Sequence, residues 1–283
     1  MRTHFRSLLL MAPPGATIFL LFVLPMAVMV IFSFRAGSFG AQREIFTLAN
    51  YQSYLQNPGY QQLLLKSVIL ALQTAVLAVV LSYPVAYYLA YYAGPRRMSL
   101  LTLLLVPAWT SYLLRILAWR LMLSTGGPIN SLALSLGVIE EASPILLYSR
   151  AAVVITLVYA WIPFVALPIF SALDRIEPGL GEAASDLGSP PWRTFLRVTL
   201  PLSMPGVIAG FFIVFIPTLG EWVTPLLVGG VKGFMYGNAI QDQFVRALNW
   251  PFGAVMSIVL LLLVLFLLFA FSRVGKITDM AGV

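Results

Sequence analysis

Apolar residues run along this chain in six long blocks separated by short polar intervals, at about 12–34, 63–92, 99–123, 145–173, 201–228 and 254–272. Crossing about 30 Å of hydrocarbon takes about 20 apolar residues, so each block is long enough to span a bilayer. In a stretch such as Ile258 to Phe271 apolar side chains fall on every side, whereas the strands of a membrane barrel alternate. Backbone polar groups in hydrocarbon must be paired within the chain. The pattern therefore predicts an all-α integral membrane protein of six transmembrane helices, one domain over residues 1–283. The first block is too long for the apolar core of a signal peptide and lacks a small-x-small cleavage site near Phe34-Arg35-Ala36, so it is expected as an uncleaved first helix.

Two places break the regularity. Between the fourth and fifth blocks lies a polar but helix-forming segment, 174–199. The fifth block carries Pro217, Gly220, Pro225, Gly229 and Gly230 where its helix should be finishing. Proline removes a backbone donor and glycine lowers helix propensity. A broken helix at membrane depth is tolerated where it faces protein or a water-filled cavity.

Composition agrees with the pattern: 60% of the residues are hydrophobic and 10% charged, against about 45–50% and 25% in soluble domains. Mean hydropathy is +0.93. The net charge of +7 would suggest nucleic acid in a soluble protein, but here it follows from Lys and Arg held in cytoplasmic loops, and no nucleic-acid partner is expected. With the N-terminus inside, Arg2, Arg6, Arg96, Arg97, Arg175, Arg193, Arg197, Arg273 and Lys276 lie on the cytoplasmic side, and Arg35, Arg43, Lys232 and Arg246 on the other. This asymmetry predicts that both termini are cytoplasmic. Lys66, Arg115, Arg120 and Arg150 fall within spans or at their edges. There is no Cys, no His/Asp/Glu cluster with metal-ligand spacing and no nucleophile–base pair; the lone His4 belongs to the basic head.

Of the ten acidic residues, Glu221 alone sits inside a membrane-associated stretch. An ionised carboxylate there is costly unless paired or hydrated, and so marks a pathway or an internal ion pair. Counted from Leu202 it lies about 28 Å along the fifth span, near the outer end, a position suited to receiving a cation. Trp222 beside it offers a π-face to an ammonium group. Arg115, about 24 Å along the third span, is at similar depth and is the alternative partner, as a salt bridge. Trp109 and Tyr112, three residues apart, should share one helical face and join the candidate path.

Residues 182–201 read EAASDLGSPPWRTFLRVTLP. Glu182-Ala183-Ala184, Gly188 four residues on, then Val198 and Leu200-Pro201, resemble the EAA loop of binding-protein-dependent ABC importer permeases, with Val198 where Ile is usual. The spacing predicts a short helix over 182–187, a sharp turn at Gly188, and a second short helix opened by Pro190-Pro191 and ending near Pro201. The resemblance implies the type I ABC importer permease fold, with this loop as coupling helices contacting the ATPase through Glu182, Ala183, Ala184, Asp186, Gly188 and Pro201. The chain has no G-x-x-x-x-G-K-[ST] phosphate loop, so it is read as a non-catalytic subunit without a cofactor of its own. ATP and Mg would belong to two separate cytoplasmic ATPase subunits.

Pro107 to Arg115, Pro217 to Pro225, and Gly237 to Phe244 with Asn249 to Ala254 are similar to blocks of spermidine/putrescine-type permeases. That resemblance implies import of a polyamine across a bacterial inner membrane. Its partners would be an outer solute-binding protein, a second six-helix permease subunit and membrane lipid. The alternatives are another small solute, such as aminoethylphosphonate, an opine or an amino-acid-like compound, and, in different classes, a cation channel or a membrane enzyme.

Overall fold

A computed structural model describes residues 13–37, 43–141 and 147–280. The basic head with Arg2, His4 and Arg6, and the start of the expected fourth span at 145–146, lie outside these residues. In chain order the elements are α1 (Pro13–Ser33), β1 (Arg35–Ala36), β2 (Arg43–Phe46), α2 (Ala49–Gln56), α3 (Pro58–Tyr91), α4 (Gly94–Trp109), α5 (Tyr112–Met122), α6 (Pro128–Ser135), α7 (Arg150–Asp174), α8 (Pro178–Asp186), α9 (Pro191–Leu219), α10 (Tyr236–Val245) and α11 (Trp250–Met280). Among the described residues five helices (α1, α3, α7, α9 and the part of α11 up to Phe271) are long and apolar enough to cross a membrane. The α4–α5 pair passes the same test only as one bent span.

That pair corresponds to the expected third span, 99–123, and it is not one straight helix: α4 and α5 meet at 85°. Thr110 (ψ 156°) and Ser111 (ψ 132°) are extended, and both the amide and the hydroxyl of Thr110 donate to the Pro107 carbonyl. These local bonds take the place of the helical ladder at Thr110, where the chain turns.

The second helix of the 182–201 motif also differs from expectation. It does not end near Pro201 but runs unbroken into the membrane segment as α9. A wide π turn at Phe195–Thr199, in which the Leu200 amide donates to the Phe195 carbonyl, ends two residues before the proline. Proline lacks a donor and its ring crowds the carbonyl four residues back, and the widened turn accommodates both.

The chain divides into two compact units, 63–238 and 1–62 with 239–283. In the second of these, the Ser33 hydroxyl bonds the Tyr51 hydroxyl at 2.8 Å, Asn50 donates to the Arg35 carbonyl at 2.9 Å, and β1 pairs antiparallel with β2. The rings of Phe32 and Trp250 join α1 to α11, and Tyr60 packs on Phe252.

Unit 63–238 carries the helices α7 and α9 in close contact. Gly206 and Gly210, four apart on α9, face α7: a Cβ at Gly206 would run into the Pro168 carbonyl and lie 2.6 Å from the Ala172 Cβ, and one at Gly210 would lie 3.0 Å from Val165 Cγ1. Small residues at this spacing let two helix backbones approach, which supplies van der Waals contact where hydrocarbon gives no hydrophobic drive. Buried Leu70, Ile116, Leu123, Val153, Leu157, Val228 and Met235 form an apolar core near the other end of α7. We expect Gly206→Leu to abolish recovery of folded protein and Gly206→Ala to lower the melting temperature in detergent. Gly181→Ala on α8, whose Cβ would meet nothing within 4 Å, should leave it unchanged.

Candidate functional site

Two sites emerge within unit 63–238, one at each end of α9. The first is the α8 turn. Glu177 precedes α8 with Pro178 at its first position, a residue already fixed at a helical φ. α8 ends in a Schellman motif: the Ser189 amide donates to the Ala184 carbonyl at 3.0 Å and the Gly188 amide to the Ser185 carbonyl at 2.8 Å. Gly188 has φ +77°, a left-handed backbone that a side chain disfavours by about 1–2 kcal/mol. Pro190 then caps the next helix, its carbonyl accepting from the Arg193 and Thr194 amides.

The turn is closed entirely by its own backbone bonds, and it leaves Glu182, Ala183, Asp186 and Gly188 exposed, with Ala184 half-buried. Pro201 stands apart from them, inside α9. Leu187, 89% exposed, is an apolar side chain presented at the apex, and the motif reading did not single it out. Its only sequence signal is its place immediately before the left-handed glycine. A cavity of about 550 Å³ behind the turn is lined by Tyr87, Tyr91, Glu177, Glu182, Asp186 and Thr194.

The second site is the break after α9. The helix ends at Leu219, and the chain re-forms a helical turn from Val223 into a π segment, Pro225–Gly229. Glu221 joins the two. Its Oε1 accepts from the backbone amides of Val223 (2.8 Å) and Thr224 (3.0 Å), and its Oε2 accepts from the Tyr112 hydroxyl at 2.9 Å. The Tyr112 oxygen also lies 2.8 Å from the buried Thr224 hydroxyl. Since the single phenolic proton serves the carboxylate, Thr224 donates to Tyr112. Asn238 completes the closure, donating to the Trp222 carbonyl at 2.7 Å and accepting from the Met235 amide at 3.1 Å.

The expected alternative, a salt bridge between Glu221 and Arg115, is not made. The ion pairs given by the described residues are Arg97–Asp174 and Arg246–Asp242. Tyr112 takes the place of the cation: Arg115 lies with its guanidinium carbon 5.8 Å from the Tyr112 ring centroid and donates through Nη1 to the Ala160 carbonyl at 3.2 Å. Its Nε is buried without a partner. Arg115 borders an apolar cavity of about 410 Å³ with Leu104, Pro107 and Tyr159, and a second of about 380 Å³ with Thr110 and Trp119.

Of the candidate path residues, the fold thus brings Tyr112, Arg115 and Glu221 together, with the half-exposed Trp222 next in the chain. It separates Trp109, which is 74% exposed before the 85° bend and does not share a helical face with Tyr112. Thr224 and Asn238 hold the site and were not singled out from the sequence; both lie inside quoted blocks, but nothing in their spacing marked them.

An ionised carboxylate offers about four acceptor sites, and three on Glu221 are filled by this chain. The residue is partly buried but reaches the surface. The arrangement is a rigidly held negative charge with capacity for one more donor, at a helix break in an apolar segment.

Residues 67–276 match the family described as binding-protein-dependent transport system inner membrane component. The chain is 40% identical over 236 residues to the spermidine/putrescine transport system permease protein PotB of Escherichia coli (strain K12), covering 83% of this chain and 85% of that protein. In fold it is similar to a chain of a bacterial ABC transporter that imports the acidic polysaccharide alginate, with a TM-score of 0.71, 16% identity and coverage of 96% and 98%. A chain of the alginate transporter in complex with its alginate-bound periplasmic protein gives 0.69, at 16% identity and 93% coverage of both. With the broken membrane helix, the exposed α8 turn and the match over most of its length, the chain belongs to the inner-membrane permease components of binding-protein-dependent ABC transport systems.

Proposed function

We propose that this chain is the permease subunit of an ATP-driven importer that takes up a polyamine of the spermidine/putrescine class from a binding protein on the outer side. The observation that carries the substrate class is Glu221, a carboxylate at a membrane helix break that retains an acceptor site for an ammonium group. Similarity to PotB supports the same class. Trp222 and Tyr112 supply π-faces beside it. In this reading α8 is the coupling element: a turn rigid by its own hydrogen bonds passes movement of two ATPase subunits into α9, which begins at Pro191 directly after it. The ATP and Mg lie on those subunits, a second six-helix permease completes the pathway, and both termini face the cytoplasm.

One observation favours a second reading. Arg115 has a buried Nε without a partner beside two cavities, which suits an anionic group and hence a zwitterionic solute such as an aminophosphonate or amino acid.

Uptake separates the two. Glu221→Gln keeps the two backbone bonds but loses the charge, so polyamine uptake in proteoliposomes should fall roughly ten- to hundredfold with complex assembly intact, while Arg115→Gln should weaken it little. The opposite ranking, with aminophosphonate or amino acid as the transported solute, would establish the second reading. For coupling, Gly188→Val and Leu187→Asp should remove the stimulation of ATPase activity by loaded binding protein without loss of membrane insertion; wild-type stimulation in both would exclude α8 as the contact. The absence of Cys makes orientation directly readable. A single Cys at position 182 should react with an impermeant maleimide only from the cytoplasmic side, and one at 232 only from the outside.

A further inference from the structure

Lys66 and Arg150 carry charges that the mechanism does not use. The Ser82 hydroxyl donates to the Ile162 carbonyl at 3.2 Å and sets the register of α3 against α7. Counting back from that bond, Lys66 lies about 24 Å along α3 and Arg150 about 18 Å along α7, within roughly one helical turn of the same level. Both are at the end of these helices away from α8, and Lys66 is within electrostatic reach of Arg150. Neither takes part in an ion pair among the described residues. The guanidinium is held in place, Nε donating to the Lys232 carbonyl at 3.2 Å. α7 begins at Arg150, so the positive end of its dipole adds to the two cations.

Beneath these charges runs a groove of about 660 Å³ between the same two helices, lined by Leu72, Gln73, Val76, Leu77, Arg150 and Val154, with Ala151. Leu72, Val76 and Leu77 are each 44–45% exposed on a helix long and apolar enough to span a membrane. The groove is therefore apolar and exposed on this chain, with Arg150 in its lining and Lys66 further toward the same end of α3.

We propose that this groove is a binding site for an anionic phospholipid, with its phosphate on Arg150 and Lys66 and one acyl chain along Leu72, Val76 and Val154. An acidic surface of a delivery protein could answer the charges, but it stops at the headgroups and leaves the apolar groove empty. A lipid satisfies both parts. A net-neutral lipid brings its own ammonium to a site that already holds two cations, so the anionic headgroup is selected. Each basic residue near a bilayer surface favours an anionic lipid by about fivefold, so the pair should give about 25-fold.

The test is native mass spectrometry of the full chain, titrated with phosphatidylglycerol or phosphatidylcholine of matched acyl chains. The wild type should retain phosphatidylglycerol in preference to phosphatidylcholine. Lys66→Gln/Arg150→Gln should lose most of that preference, and Val154→Phe, which fills the groove and keeps the charges, should weaken retention of both lipids. Equal retention of the two lipids by the wild type would overturn the proposal, as would a preference undiminished in the charge variant. So would unchanged lipid retention with lost affinity for the loaded binding protein, which would assign the two cations to a protein contact.

Discussion

Inside hydrocarbon every backbone amide must find an acceptor within the protein, and the departures of this chain from straight helices are organised by that requirement. The sharpest departure follows Leu219. Opening a helix there frees amides that in water would cost little and in a bilayer would cost several kcal/mol each. Glu221 takes two of them on one carboxylate oxygen, and Asn238 answers the Trp222 carbonyl and the Met235 amide. The Tyr236 amide donates to the buried Ser67 hydroxyl at 2.7 Å, tying the region to α3. Polar side chains rather than backbone ladders thus close the break, and this places a charged group at a depth where charge is otherwise excluded.

The same arrangement reconciles structure with chemistry. A Glu221 carboxylate neutralised by Arg115 would have been a static ion pair. Held instead by two amides and the Tyr112 hydroxyl, it is satisfied well enough to persist and still accepts one further donor. Arg115 is accommodated separately, on the Ala160 carbonyl and against the Tyr112 ring. Tyr112 is consequently a residue that touches both charges, and it stands at the start of α5, just after the chain turns through 85°.

At the other end of α9 the proposed task is transmission of force. The α8 turn is fixed by backbone bonds at Ala184 and Ser185, and α9 is one helix from Pro191 to Leu219, packed on α7 through Gly206 and Gly210. In the proposed coupling, a displacement at α8 passes through the hydrogen-bonded Gly188 turn into α9, which ends at Leu219, two residues before Glu221. The π turn at Phe195–Thr199 permits Pro201 to lie within the helix, which further along also carries Pro205 and Pro217.

By itself the amino-acid sequence determined what depends on composition and short spacing. The apolar blocks, without the alternation of barrel strands, required membrane helices to satisfy the backbone in lipid, and Gly188 with Pro190-Pro191 required a turn between two helices because glycine enters the left-handed region without steric cost and the proline ring fixes φ. It also isolated Glu221, since a lone carboxylate in an apolar block is conspicuous. What it did not determine were the partners of that carboxylate and the course of two helices. Equal depth along two spans made Arg115 a plausible mate, but depth says nothing of the angle at which a side chain leaves its helix, and the bend at Thr110–Ser111 rotated Trp109 away and brought Tyr112 to Glu221. Thr224 and Asn238 were invisible because their roles arise from contacts with residues 112 and 222, across the fold or across a loop. The continuation of α9 through Pro201 was likewise a tertiary decision, because a proline that ends a regular helix is accepted once the preceding turn widens.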